Sequence, residues 1–200
     1  MATIATHDQI LGGPNGHVYL GCRFPADERY RSGLQACGEV VGAVLAGRGV
    51  TGHLGIDFFV VPDPGGDRLV LGEINLRLGG TTHPFGTALL ASSGAYDRRT
   101  GTIRAGGEAK GYVATDNFTA PSLVGRTPAE VIGRVRRLGL AFSPDGATGA
   151  VLHLLGAVPE HGKLGFVCIA DSARDAEALY TEVSAALAGR WRPAPAGQAR

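Results

Sequence analysis

Two acidic residues, Asp57 and Glu73, stand in neighbouring segments that are otherwise rich in β-branched and aromatic residues. Residues 62–67 between them read Pro-Asp-Pro-Gly-Gly-Asp, a composition typical of a turn, so the two segments predict a β-hairpin. With the turn centred on Gly65, each carboxylate lies eight residues from the centre. Opposed residues of an antiparallel pair point to the same side. The spacing therefore predicts two carboxylates side by side.

Two carboxylates in an apolar setting repel each other unless one is protonated or a cation lies between them. Asn75 follows Glu73 by two residues and adds an amide oxygen on the same face, which alternation also assigns to Leu69 and Leu71. Three oxygen ligands without Cys or His suit Mg²⁺ or Mn²⁺, and Mg²⁺ usually shares its shell with substrate phosphates. We therefore predict that Asp57, Glu73 and Asn75 are metal ligands. The alternative is a hairpin whose acidic residues simply face water, and a register shift of one residue would remove the opposition.

A basic residue and a glycine-rich loop follow these acidic residues. Arg77 shares their face if the strand continues, and a guanidinium there would stabilise charge on a transferred phosphoryl group. Gly79 and Gly80 let backbone N–H groups approach an anion, and Thr81 and Thr82 offer hydroxyls. The alternative is a glycine turn into a helix that the threonines cap.

The surrounding segments alternate between strand-like and helix-like patterns without an internal repeat. Mixed elements joined by hairpins predict an α+β fold, with a largely antiparallel sheet and flanking helices. Thr127-Pro128-Ala129-Glu130 is a typical helix start, and Ser172 predicts the cap of a last helix. We expect one lobe over residues 1–110, a small α+β extension over 111–190 and a disordered tail over 191–200.

The composition excludes several classes of function. A net charge of +1 over 200 residues argues against a nucleic-acid surface. No apolar run approaches the roughly 18 residues that span a bilayer, and the first residues do not form a secretory leader. The three cysteines, Cys22, Cys37 and Cys168, fit neither a disulfide framework nor a metal site. We expect a cytoplasmic protein without membrane or nucleic-acid partners.

The segment Glu73–Pro84 (EINLRLGGTTHP), preceded by Asp57-Phe58-Phe59, resembles the metal-binding end of the ATP-grasp ligases. The likeness is closer still to peptide ligases of the pheganomycin-maturase type, and it runs through about residues 3–190. Supporting segments are Thr6–Gln9, Leu20–Ala26, Tyr112–Asn117 and Gly162–Gly165 with the final helix.

This resemblance implies an ATP- and Mg²⁺-dependent ligase that joins a small-molecule or peptide carboxylate to an amine through an acyl phosphate. It implies that Asp57, Glu73 and Asn75 hold Mg²⁺ (or Mn²⁺) on the ATP phosphates. It also implies that Arg77 is catalytic and that the loop from Gly79 through Gly80 and Thr81 to Thr82 borders the acyl substrate. Residues implied to contact the nucleotide are Leu71, Glu73, Asn75 and Arg77.

The sequence also departs from the family pattern. No lysine precedes Lys110, although these ligases grip the phosphates with lysines of a preceding lobe. His53 and Leu78 stand where the family often has arginine and lysine. We therefore expect the C-terminal half of a ligase, present as a fragment, a split gene product or a remnant. The alternatives are a non-catalytic scaffold subunit and, more weakly, a metal-dependent hydrolase.

Other polar residues leave two interpretations open. His7-Asp8-Gln9 and Asp116-Asn117 either touch substrate or are polar strand ends. His83, beside Pro84, and His153, within an apolar strand, are predicted to be structural histidines.

Overall fold

The computed structural model describes residues 1–191, which form nine strands and five α-helices. The strands are β1 (Asp8–Gly12), β2 (Val18–Phe24), β3 (Gly55–Val61), β4 (Arg68–Asn75), β5 (Ala95–Asp97), β6 (Thr102–Ala105), β7 (Glu108–Thr119), β8 (Gly149–His153) and β9 (Lys163–Ala170). The helices are α1 (Glu28–Gly47), α2 (Thr82–Ser92), α3 (Pro128–Arg137), α4 (Val158–His161) and α5 (Ala173–Ala188).

Strand β7 organises the main sheet, which has seven strands. Its first residues pair with β6, and β5 lies beyond β6. Farther along, β7 lies between β2, which carries β1, and β9, which carries β8. Every pair is antiparallel, so the predicted α+β fold with a largely antiparallel sheet is confirmed. Residue 110, the predicted boundary between two lobes, lies inside β7.

Alternation along β9 gives this sheet an apolar core on each face. Phe166 and Cys168 face the core beneath α3 and α5, whereas Val167 and Ile169 face the core beneath α2. The first core also contains Leu123, Val131, Val135, Leu164, Val183 and Leu187, and the second contains Phe24, Phe85, Ala88, Ile103 and Tyr112. Helices therefore cover both sides of the sheet.

Strands β3 and β4 form a separate two-stranded hairpin that packs beside α1. An isolated two-stranded ribbon is marginal in water, so the contacts with α1 stabilise this hairpin. Gly33 of α1 shows the close approach, because a Cβ there would lie 3.1 Å from a Leu69 methyl carbon. The predicted carboxylates thus lie on a ribbon that the helix supports.

The predicted helix starts are confirmed. The Thr127 hydroxyl accepts from the Glu130 N–H at 3.2 Å, and the Glu130 carboxylate accepts from the Thr127 N–H at 2.8 Å. Ser172 accepts from the Asp175 N–H at 3.0 Å and begins α5. Within the predicted tail, the Trp191 indole donates to the Leu187 carbonyl at 3.2 Å, whereas residues 192–200 lie outside the described residues. In the described part of the chain, every helix is too short or too polar to traverse a bilayer.

Candidate functional site

The candidate site is centred on Asp57 of β3, which pairs directly with Glu73 of β4. The predicted opposition of these two residues is therefore confirmed. Asn75 donates from Nδ2 to Asp57 Oδ2 at 3.2 Å, and Gln9 of β1 donates from Nε2 to Asp57 Oδ1 at 3.1 Å. Both oxygens of one carboxylate are thus held by neutral amides, and a second carboxylate lies across the ladder.

The electrostatics of this group favour a cation. Burial, and then the negative charge of Glu73, raise the pKa of Asp57, which the Gln9 hydrogen bond and the Arg77 charge lower in part. Asp57 is half-buried and Glu73 is exposed. A cation between the two carboxylates would remove their repulsion.

The predicted orientation of Leu69 and Leu71 on β4 is wrong, because this strand contains a bulge. Asp57 pairs with Glu73, but Phe58 pairs with Leu71, so Gly72 is unpaired. An extra residue reverses the alternation of side chains along a strand. Leu69 and Leu71, predicted to share the face of Glu73 and Asn75, instead lie on the opposite face. Leu71 therefore does not join the carboxylate face, and its contact with a nucleotide stays a prediction.

Arg77 does not continue the strand, because β4 ends at Asn75. The side chain is exposed, and its Nη1 donates to the Leu78 carbonyl at 3.3 Å. Its positive charge still reaches Asp57, where it counteracts the raised pKa. The condition for a shared strand face is therefore not met, and a role of Arg77 beside a phosphate stays a prediction.

The glycine loop is a tight turn that leads into α2. The Gly79 N–H donates to the Thr82 hydroxyl at 3.1 Å, and the Thr82 N–H donates to the Gly79 carbonyl at 3.1 Å. Thr81 precedes the helix and makes no capping bond with its side chain. The loop is therefore a glycine turn into a helix, as in the alternative interpretation of the sequence. Whether it also borders a ligand stays a prediction.

A cavity of about 260 Å³ lies beside this loop. Gly79 and Gly80 line it, whereas Thr81 and Thr82 are not among its lining residues. Its other lining residues are Tyr19, Gly21, His83, Pro84, Ala114, Thr115, Asp116, His153 and Leu154. His83 and His153, predicted to be structural, thus face a cavity, with ring centroids 4.4 Å apart. Asp116 lies within β7 and lines this cavity, and its contact with a substrate stays a prediction.

Two residues of the segment His7-Asp8-Gln9 stabilise the fold, and the third contacts the candidate site. His7 packs among Phe24, Phe85 and Tyr112, and its Nε2 lies 2.6 Å from the Tyr112 hydroxyl. Burial there lowers the pKa of His7 to about 3. Asp8 accepts from the Tyr30 hydroxyl at 2.8 Å and from the residue 27 N–H at 3.0 Å. Both are structural, and only Gln9 reaches the candidate site.

The donor set fits a magnesium ion that shares its shell with phosphates. Across residues 1–191, no cluster of three or more His, Cys, Asp and Glu side chains could hold a metal ion. The group at Asp57 offers two carboxylates and an amide, which is too few for a complete protein cage. Mg²⁺ usually binds through one or two carboxylates together with water and substrate phosphates.

Comparisons with known proteins agree with this fold. Residues 130–183 match the family described as PGM1 C-terminal domain. The chain is 33% identical over 191 residues to the L-propargylglycine–L-glutamate ligase of Streptantibioticus cattleyicolor, covering 94% of this chain and 38% of that protein. The predicted resemblance to ligases of this type is confirmed, although the chain spans well under half the length of this curated relative.

Solved structures share the fold. The phosphoribosylaminoimidazole carboxylase ATPase subunit from Aquifex aeolicus matches with a TM-score of 0.52 at 15% identity, over 92% of this chain and 50% of that one. The N5-carboxyaminoimidazole synthase from Aspergillus clavatus, in complex with ADP and 5-aminoimidazole ribonucleotide, matches with a TM-score of 0.53 at 13% identity. That match covers 90% of this chain and 46% of the other. Each solved protein thus contains this fold as about half of its chain.

Proposed function

We propose that this chain, a relative of the ATP-grasp ligases, forms the metal- and phosphate-binding side of an ATP-dependent carboxylate–amine ligase. The observation that carries the proposal is the direct pairing of Asp57 with Glu73, beside Asn75. The name of the curated relative, a ligase of two amino acids, supports the same reaction class. The ADP complex among the solved neighbours supports ATP as the nucleotide.

The reaction has two steps. A substrate carboxylate takes the terminal phosphoryl group of ATP, which yields an acyl phosphate and ADP. An amine then forms a C–N bond with the acyl carbon while the C–O bond to phosphate breaks, so that inorganic phosphate leaves with the electron pair and the nitrogen loses a proton. Asp57, Glu73 and Asn75 would hold Mg²⁺, which neutralises phosphate charge when it is bound.

The chain's own residues position this chemistry. Gln9 and Asn75 fix the orientation of the Asp57 carboxylate through their amide groups. Arg77, near Asp57 and exposed, would stabilise negative charge on the transferred phosphoryl group. The Gly79–Thr82 turn would border the acyl substrate, and Leu71 would pack against the nucleotide.

The remaining machinery lies, in this proposal, in polypeptide outside these 200 residues. The only lysines in the sequence are Lys110 and Lys163. Lys110 is buried and pairs with the exposed Asp171, and Lys163 lies at the start of β9, so neither belongs to the carboxylate group. We propose that a further lobe, joined to this chain or separate, holds the adenine and grips the phosphates. From the relative's name we propose amino-acid or peptide substrates.

Calorimetric binding of ADP with and without Mg²⁺ tests this function on the 200-residue chain: the affinity is expected to be low without the further lobe, but its Mg²⁺-dependent part should come from this chain. We expect Glu73→Gln to lose the Mg²⁺-dependent part of the affinity, because one of two carboxylates is neutralised without a change in size. Glu160→Gln is the matched control, since Glu160 is exposed and lies on α4, away from the hairpin. Equal Mg²⁺ dependence in Glu73→Gln, in the control and in the unaltered chain would refute the proposal.

A further inference from the structure

The cavity beside the Gly79–Thr82 turn, here called the histidine cavity, is built by strands that are distant in sequence. At Gly165 of β9, the pairing with β7 contains a bulge, whereas the pairing with β8 is regular. Asp116 and Asn117 together oppose Gly165 in a bulge of β7, and His153 of β8 pairs with Gly165 directly. Bulges often occur next to active sites, where they redirect a side chain. Asp116 and His153 therefore converge from two strands on one glycine.

This arrangement requires glycine at residue 165, because the His153 imidazole occupies the space that a side chain there would fill. A Cβ at residue 165 would lie 2.6 Å from His153 Nδ1 and 2.7 Å from Nε2. The ring of His83, from the first turn of α2, lies with its centroid 4.4 Å from that of His153. Leu154, directly after His153, has a φ of 55°, a left-handed conformation that is unusual for a leucine. The backbone is thus bent where the cavity opens.

The charges of the cavity favour a cationic ligand. Asp116 is the only carboxylate among its lining residues, which include neither lysine nor arginine. Burial, with a smaller effect of His83, lowers the pKa of His153 to about 4, although the Asp116 charge raises it. At neutral pH the His153 ring is therefore uncharged and has a nitrogen that can accept a hydrogen bond.

The start of α2 gives little support to an anion at this place. The Thr82 N–H is bonded to the Gly79 carbonyl and the Phe85 N–H to the Thr81 carbonyl. Pro84 has no N–H. A carboxylate or phosphate in the cavity would therefore find these two N–H groups already bonded and would face Asp116.

The size of the cavity limits the ligand. Its volume of about 260 Å³, at roughly 30 Å³ for each water-sized group, holds about nine non-hydrogen atoms. Pro84, Ala114 and Leu154 give it apolar walls. A ligand of amino-acid size with an ammonium group and a small apolar body matches this space.

We propose that the histidine cavity is the subsite for the amine substrate, a primary amine of amino-acid size. The ammonium group pairs with Asp116, and the imidazoles of His83 and His153 accept its remaining N–H groups. This inference rests on the proposed ligase function, because it assigns the second substrate of that reaction. His153 and Leu154 lie within residues 130–183, so the segment that matches the PGM1 C-terminal domain contributes directly to the cavity.

A nuclear magnetic resonance titration of the ¹⁵N-labelled chain separates an amine site from an acid site. L-Leucinamide carries an ammonium group and no carboxylate, whereas 4-methylpentanoate carries a carboxylate on a similar body. We expect leucinamide, and not the acid, to shift the amide signals of Ala114, Thr115 and Leu154, which line the cavity outside the Gly79–Thr82 turn. Shifts with the acid alone, shifts outside the cavity, or no shifts with leucinamide would overturn the proposal.

Two variants test the residues. Asp116 is exposed, so Asp116→Asn should weaken leucinamide binding by about threefold to fivefold through loss of a screened charge, whereas Asp145→Asn in an exposed turn should leave it unchanged. Gly165→Ala should displace the His153 ring and weaken leucinamide binding. If Gly165→Ala does not fold, His153→Gln takes its place with the same expectation. Unchanged leucinamide affinity in Asp116→Asn and in the His153 or Gly165 variant would refute the subsite.

The two proposals fail in different ways. Loss of leucinamide binding with intact Mg²⁺-dependent ADP binding would overturn the amine subsite alone. Leucinamide binding at the cavity, together with ADP binding that does not depend on Glu73, would leave an amine site but overturn the ligase function on which this inference rests.

Discussion

Glu73 lies directly across the β3–β4 ladder from Asp57, and it does so immediately after the bulge at Gly72. Beyond the bulge, Glu73 and Asn75 share the face of Asp57, whereas Leu69 and Leu71 before it lie on the other face. The same irregularity thus opposes the two carboxylates and turns the leucines to the other face of the hairpin. The geometry of the proposed metal site depends on one unpaired glycine.

The bulge predicts that Gly72 tolerates no side chain. A Cβ there would lie 2.9 Å from a Phe59 ring carbon and 3.1 Å from the Asp57 carbonyl oxygen. We expect Gly72→Ala to lower the free energy of unfolding by about 1 kcal/mol, because the added methyl group crowds the Asp57 carbonyl oxygen and displaces the exposed Phe59 ring. Urea unfolding measures the change. Gly65→Ala in the hairpin turn is the control, since a Cβ at residue 65 meets nothing within 4 Å. Equal stability of the two variants would contradict the role assigned to Gly72.

Asp57 should oppose folding when no cation is bound. Its pKa is raised in the folded chain, so its ionised form costs stability above that pKa, and the cost disappears as the pH falls through the raised value. We expect Asp57→Asn to raise the thermal midpoint slightly at neutral pH without Mg²⁺, since water partly screens the pair. With ADP and Mg²⁺ we expect the unaltered chain to gain more stability than the variant. Circular-dichroism melting in both conditions measures this, and a variant that is less stable without Mg²⁺ would argue against the repulsion.

His7 should make folding sensitive to acid. Its pKa is about 3 in the folded chain and near 6.5 in an unfolded one, so the unfolded chain binds the proton first as the pH falls. The contribution of a neutral His7 is complete above pH 6.5 and is lost as the pH falls toward 3. We expect a loss on the order of 1 kcal/mol between pH 6.5 and 5 that His7→Phe removes.

Urea unfolding at pH 7 and pH 5 measures the effect of His7. The His153 pKa, lowered to about 4, gives a contribution of the same sign, so the comparison between the unaltered chain and His7→Phe isolates His7. His17→Gln is the control, because His17 lies exposed in the β1–β2 turn. An identical loss of stability in His7→Phe and the unaltered chain would show that His7 is not the group that titrates.

Local patterns predicted a large part of this structure. The opposition of Asp57 and Glu73 was predicted from a turn centred on Gly65; the observed turn is centred between residues 64 and 65, and the bulge at Gly72 makes up the difference. The start of α3 follows from Thr127 and Glu130, which form the capping bonds within four residues. In both cases the partners are close in sequence, and few alternative pairings compete.

The features that were not predicted depend on contacts between residues that are distant in sequence or on irregular strand pairing. The bulge reversed the predicted face of Leu71, and only a glycine inside a strand pattern, Gly72, signalled it. The short strands β5 and β6 were not predicted, since three or four residues give no clear periodicity. The histidine cavity arises where β7 and β8 meet at Gly165, and His153 was therefore interpreted from its apolar neighbours as structural.

Paramagnetic broadening by Mn²⁺ in the presence of ADP tests the central claim most directly, because it locates the ion on the ¹⁵N-labelled chain. We predict that Mn²⁺ at low stoichiometry broadens the amide signals of Asp57, Glu73 and Asn75 first, and that excess Mg²⁺ reverses the effect. The double variant Asp57→Asn/Glu73→Gln should lose this broadening, whereas Glu160→Gln should keep it. Broadening that is unchanged in the double variant, or that is centred on other residues, would contradict a metal site between the two opposed carboxylates.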